Sequence, residues 1–284
     1  MKTGIIALAA AMFISAPMLS AANPTNRPAK YHEPIKIEKK WRKYNPGKIN
    51  FSIQSPETEG AKIYTNIVKD PDTYITENAR RVLQTLYFSP KDSIPNITDI
   101  DYVVRNFDGI SYKSGGGKRV RIDYSTDWIE KSFKNNDTLK LDYETRGVIY
   151  HELTHAFQHC PEGAGVYDGK SPCWAFIEGT ADAVRVACGC FEQDFASKDR
   201  PRGGNWMSGY RITGYFLYWL SKNKDKDFIR KFNRTAIDVK PWSWDEAMYS
   251  ILGRDEKNLV KNLWAEYMDA IGDEQDRAKA KPVE

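Results

Sequence analysis

The chain is 284 residues long, 41% hydrophobic and 28% charged, with 42 basic against 38 acidic side chains and a formal charge of +4. That length can bury a full core without disulfides or a partner chain, in one large domain or two smaller ones. So small a charge excess, mixed in sign along the chain, excludes nucleic acid and an anionic membrane as expected partners. The densest basic run, Lys39-Lys40-Trp41-Arg42-Lys43, follows Glu38 and reads as a solvated face. The mean hydropathy of −0.61 is that of a soluble protein. The 8 Trp, 16 Tyr and 12 Phe suit a thick core first and a ligand groove second.

In chain order, Lys2 precedes an apolar run over Gly4–Leu19, and Ser20-Ala21-Ala22 closes it with small residues. Residues 1–22 therefore read as a cleaved secretory signal peptide. No cysteine follows to take a lipid, so a secreted or periplasmic protein is expected, free of the membrane after cleavage. Residues 23–35 carry three prolines and read as a flexible leader. One domain is expected over 36–272, with a sheet half at 36–141 and a helical half at 142–272. The charged tail 273–284 is expected to be disordered.

Within the sheet half, Lys48–Ile53 alternates as a strand. Asp70-Pro71 caps a helix carrying Ile75, Ala79, Val82, Leu83 and Leu86 at helical spacing. Ile100, Tyr102 and Val104 form a second strand, Ile110 and Tyr112 a third after the Asp108-Gly109 turn, and Arg119–Tyr124 a fourth after Gly115-Gly116-Gly117. This pattern predicts a helix on a small, mostly antiparallel sheet. Helices are then expected at Tyr143–Cys160, stopped by Pro161, and from the Ser171 cap to Gly189. Three more follow: Met207–Ser221, one opened by the Ser243 capping box, and Asp255–Ile271 before Gly272. The fold class is α+β, with a metal-binding helix between the halves.

All four cysteines, Cys160, Cys173, Cys188 and Cys190, fall within 31 residues. In an exported chain they invite disulfides. A direct Cys188–Cys190 link is strained, which favours links from Cys160 and Cys173 to those two. A structural zinc cluster is the competing reading and lacks a CxxC pair.

Three of the four histidines, His151, His155 and His159, lie within nine residues. His151 and His155 are i and i+4 on a helix, so two imidazoles can meet one metal ion. Glu152 between them is the candidate general base. An isolated HExxH occurs by chance, so the third ligand matters. Glu178, 23 residues past His155, supplies it, and Asp182 one turn on can hold a ligand histidine by its other nitrogen. Gly179 is expected to let this helix approach the histidine helix. The bland alternative, a solvated acidic face, fits poorly among Phe176, Ile177, Ala181 and Val184. His159 is the rival ligand, but three ligands on one straight helix surround an ion poorly, so a surface or supporting place is expected for it. Tyr210 is the candidate donor to a developing oxyanion, against the alternative of a plain core aromatic. The strand Arg119–Tyr124 is the expected edge for an extended peptide, making Ile122 and Tyr124 the candidate substrate-binding residues.

Gly147-Val148-Ile149-Tyr150-His151-Glu152-Leu153-Thr154-His155-Ala156-Phe157-Gln158 resembles the signature of the plant basic secretory protein family and its bacterial relatives. Ile177-Glu178-Gly179-Thr180-Ala181-Asp182-Ala183-Val184-Arg185 is similar to its second block, and further similarity runs through Asp108–Tyr112, Gly209–Thr213 and Leu259–Tyr267. The resemblance spans about Lys48 to Ile271. It implies a peptidase with the zincin-like HExxH fold, Zn²⁺ on His151 and His155, and catalysis by Glu152; Glu178 rests on spacing. The four cysteines, the Pro161–Pro172 loop and the weak basic excess depart from the plant pattern. The expected function is an exported zinc metallopeptidase acting on peptides or proteins. A zincin-fold binding protein without turnover, or a zinc hydrolase of cell-wall or glycan conjugates, are the alternatives.

Overall fold

The structure, a computed structural model, describes residues 33–133, 137–192, 200–201 and 203–279. The expected signal peptide and most of the leader lie outside these residues. Four strands form one sheet in the order β1-β2-β4-β3: β1 (Lys48–Ile53), β2 (Asp99–Arg105), β3 (Ser111–Gly116) and β4 (Arg119–Ser125). β1, β2 and β4 run parallel, and β3 alone is antiparallel, paired to β4 at the edge. The mostly antiparallel sheet expected from sequence is thus a mixed, mainly parallel one. Period-two alternation reveals strands but not their direction. Direction is set by the crossover from β1 to β2, which passes through two helices, as a parallel connection requires.

Alternation also reports which face is covered. Ile100, Tyr102 and Val104 of β2 and Ile122 and Tyr124 of β4 are fully buried on one face. There Tyr64 of α1 (Glu59–Ile67) meets the Tyr102 and Tyr124 rings at 6.2 Å each. The other face carries charge: Arg119 is bidentate on Asp101, and Asp123 lies beneath Arg105 and Arg121 at 2.5 and 2.7 Å. Val103 of β2 interrupts the charge on this second face and is itself buried, so the polar alternation is incomplete.

α2 (Pro71–Leu86) begins as read, with Asp70 accepting from the Thr73 N–H. α3 (Thr126–Ser132) follows β4 directly. α4 (Thr138–Phe157) starts earlier than the sequence suggests because Asp137 caps Lys140 N, and stops earlier because Gln158 turns extended (ψ 153°) before Pro161. α5 (Pro172–Ala187), α6 (Tyr210–Asn223), α7 (Phe228–Asp238), α8 (Trp244–Leu252) and α9 (Val260–Lys279) complete the described helices. α9 continues past Gly272 to Lys279, through part of the tail expected to be disordered. No helix among the described residues is long and apolar enough to cross a membrane.

α4 is the central element. It packs on α2, β3 and β4 on one side and on α5 on the other, and α5 in turn packs on α6. The glycines decide how closely. A Cβ on Gly179 would lie 2.3 Å from Thr213 Cγ2, and one on Gly214 would lie 2.6 Å from Asp182 Cβ, so these residues let α5 and α6 cross tightly. Gly179 therefore serves the α6 contact and not the α4 contact expected from sequence. Gly147 does that work for α4, beneath Phe191 and Arg185.

Candidate metal centre and active site

α4 buries almost its whole circumference, which brings His151 and His155 inward together. Their Nε2 atoms are 3.0 Å apart, with the rings at 89°. α5 presents Glu178, whose Oε2 is 3.1 Å from His151 Nε2 and 3.6 Å from His155 Nε2. The three side chains are 1%, 5% and 0% exposed. A tetrahedral ion with bonds of about 2.1 Å spaces its ligands by about 3.4 Å. This is the one group of three metal-capable side chains found among the described residues.

Supporting bonds orient each of the three. His151 Nδ1–H donates to Asp182 Oδ1 at 2.8 Å, which leaves the Nε2 lone pair aimed at the centre. Asp182 is itself buried and within 3.4 Å of Arg185 Nη1. The Tyr167 hydroxyl donates to Glu178 Oε1, freeing Oε2 for the centre. Gln158 meets His155 Nδ1 at 2.7 Å, and its amide, turned oxygen-first, can accept the Nδ1 proton.

Two imidazole lone pairs facing a carboxylate oxygen repel one another unless a cation lies among them. Burial works against a charged His151, yet the hydrogen bonds with Asp182 and Glu178 win and lift its pKa to about 10. Burial likewise opposes ionised Glu178, and the two histidines hold it well below the usual carboxylate range. The pocket is built for positive charge, and its N₂O donor set suits zinc.

Glu152, on the same helix, is 2% exposed and accepts a 2.5 Å hydrogen bond from the Ser111 hydroxyl at the start of β3. β3 thus lies along the site with its outer edge unpaired in the sheet. Tyr210 opens α6 and stacks its ring over His151, with centroids at 6.1 Å and planes at 16°. Its φ of 42° lies in the left-handed region, a cost of about 1–3 kcal/mol that surrounding packing must hold. Trp174, edge-on at 5.6 Å, supplies part of that packing. Burial and the carboxylates of Glu178, Asp182 and Glu152 raise the Tyr210 phenol, which therefore remains an O–H donor at neutral pH.

Other expected residues lie elsewhere. His159 Nε2–H donates to Ser93 O at 2.6 Å and its ring packs edge-on against Tyr87, so it is outside the cluster. Ile122 and Tyr124 are in the core of β4, an inner strand with both edges paired, and so cannot meet substrate. The free edge beside Glu152 belongs to β3. The expected links from Cys160 and Cys173 to Cys188 and Cys190 are not made either. Cys188 Sγ lies 3.5 Å from Thr85 Oγ1 and Cys190 Sγ 3.6 Å from Tyr143 O, while Cys160 and Cys173 face each other at 3.3 Å.

Ser111, Gln158 and Tyr167 were not singled out from sequence. Ser111 and Gln158 sit inside the blocks that carry the family resemblance, a signal that could have found them. Tyr167 lies in a loop without periodicity, and nothing in its spacing points to Glu178.

A buried HExxH helix facing a carboxylate helix beside a small mixed sheet is an arrangement suited to a hydrolase. The model of the BSP family, peptidase of plants and bacteria, matches residues 46–267, and the chain belongs to that family. No curated protein and no solved structure matches the chain.

Proposed function

We propose that this chain is an exported zinc-dependent metallopeptidase with the zincin-like fold, Glu152 acting as general base. Membership of a peptidase family supports a peptide or protein substrate. The observation that carries the metal reading is the convergence of His151, His155 and Glu178, each held by its own hydrogen-bond partner. Those three would hold Zn²⁺. When bound, the ion would supply Lewis acidity toward a substrate carbonyl and lower the pKa of a coordinated water to about 7.

The chain's own groups do the rest. Glu152 takes a proton from the attacking water and returns it to the leaving amine, as a general base and then acid. Ser111 donates to one carboxylate oxygen of Glu152 and keeps the other turned toward the reacting water. Tyr210 donates its hydroxyl proton in a hydrogen bond to the carbonyl oxygen as negative charge develops there. An extended peptide lies along the free edge of β3, its backbone completing the ladder that β4 fills on the other side. Export rests on the apolar segment over residues 1–22.

The deciding experiment is the zinc content per chain, by elemental mass spectrometry, of residues 23–284 purified without chelator or a histidine tag, followed by a peptide-library digest. About one zinc per chain with metal-dependent cleavage is expected. A chain that takes up no zinc even after dialysis against it refutes the reading.

A further inference from the structure

Between α4 and α5, residues 158–171 form a strap that leaves one metal-site helix and returns to the other. Most of it is exposed, with Gln158, Pro161 and Ala164 its buried points. At its foot, Cys173 N donates to Ala164 O at 2.9 Å, and Asp168 Oδ1 accepts from Lys170 N and Ser171 N at 2.9 and 2.8 Å. At its far side, Tyr167 reaches in to Glu178. Cys160 near the start of the strap and Cys173 in the first turn of α5, just past its end, bring their sulfurs to 3.3 Å.

Resting on the proposed metal site, we infer that Cys160 and Cys173 form a disulfide that closes this strap, so that the redox state of the pair sets how firmly Tyr167 holds the metal-binding carboxylate of Glu178. Thiols this close need a small side-chain rotation to bond. Cys188 and Cys190 are fully buried beside other groups and cannot compete. The hydrogen bond from the Cys173 thiol pulls the Cys160 thiol down to about 7, and Cys160 is the exposed member, so it is the nucleophile.

The oxidant is a small-molecule disulfide such as glutathione disulfide. Cys160 thiolate attacks one of its sulfurs and releases one thiol. Cys173, losing its proton to solvent, then attacks the Cys160 sulfur of the mixed disulfide and releases the second. Two protein thiols and one small disulfide become one protein disulfide and two small thiols, as balanced exchange requires.

The test uses the full chain, equilibrated in oxidised or reduced glutathione, then denatured in an alkylating agent and weighed. Four added groups are expected after reduction and two after oxidation, with a digest joining the Cys160 and Cys173 peptides. Zinc affinity is then read by competition with a chromophoric chelator. The reduced form should bind about tenfold more weakly, as lost support of a ligand typically costs. Tyr167→Phe should show the same loss while oxidised and lose nothing further on reduction. Cys160→Ser, at the exposed position, should match the reduced form in either buffer. Four groups after oxidation, or a bridge to Cys188 or Cys190, overturns the pairing. Equal zinc affinity with the bridge in place and removed overturns the control of Glu178. Absence of zinc binding in both states refutes the metallopeptidase reading and that control together, while a mapped bridge still stands on the mass.

Discussion

At the scale of single residues, the proposed site separates the groups that would hold zinc from the group that would react. Glu152 is turned toward Ser111 and not toward the nitrogen and oxygen atoms that converge from His151, His155 and Glu178. Glu152→Gln is therefore expected to keep about one zinc per chain and lose at least 10²-fold in kcat, read by elemental analysis beside a peptide assay. Glu178→Ala leaves only the two imidazoles and should weaken zinc binding by two orders of magnitude or more, since it removes a direct ligand and not a supporting group. His159→Ala should leave zinc affinity unchanged, because that ring is bonded to Ser93 O. Reversal of those two affinities in a chelator titration would discredit the ligand assignment.

At the scale of elements, the helices carrying the site were the most legible part of the chain. The i, i+4 histidine pair and the Glu178/Asp182 pair each predict a shared face, and both faces turn inward. Capping chemistry was equally readable: Asp70, Ser171 and Ser243 all accept the backbone bonds their positions suggest. Strand pairing was not, because alternation carries no information on direction or neighbour order, and Ile122 and Tyr124 were misplaced for that reason. α1 and α3 are short, so few residues report their period. α7 was legible in principle from Phe228, Ile229, Phe232 and Ala236, all buried. Helix crossing distances were visible as glycines but not assignable to partners. The α5–α6 crossing gives a sharp expectation: Gly179→Ala drives its methyl onto Thr213, whose hydroxyl is fixed between Gly209 N and Trp206 O. A loss of about 2 kcal/mol is expected, some 4–8 °C in Tm for a domain this size. Thr213→Ser, which deletes the opposing methyl, should restore part of it in the same melting experiment.

At the scale of the whole molecule, the two halves seen in the sequence are joined through α4, which touches the sheet on one flank and α5 on the other. An ion held by ligands from α4 and α5 therefore ties the helical half to the helix that backs the sheet. Because binding to the folded state alone stabilises it, zinc at a thousandfold excess over Kd should add about 4 kcal/mol. Calorimetry should show Tm falling on chelation and recovering on zinc addition. An unchanged Tm would mean that the pocket holds no ion in the folded state.

β3 has two faces toward catalysis. Its first residue, Ser111, grips Glu152, while its outer backbone edge is the place proposed for substrate. On the proposed binding mode, a long peptide that completes the ladder also stiffens the strand from which the proposed base is hung, so length is converted into turnover and not only into grip. Peptides too short to span Ser111–Gly116 should therefore show a depressed kcat as well as a raised KM. On that account, an enzyme of this build discriminates against small fragments by leaving its own base unsteady, and degradation slows by itself as the products shorten.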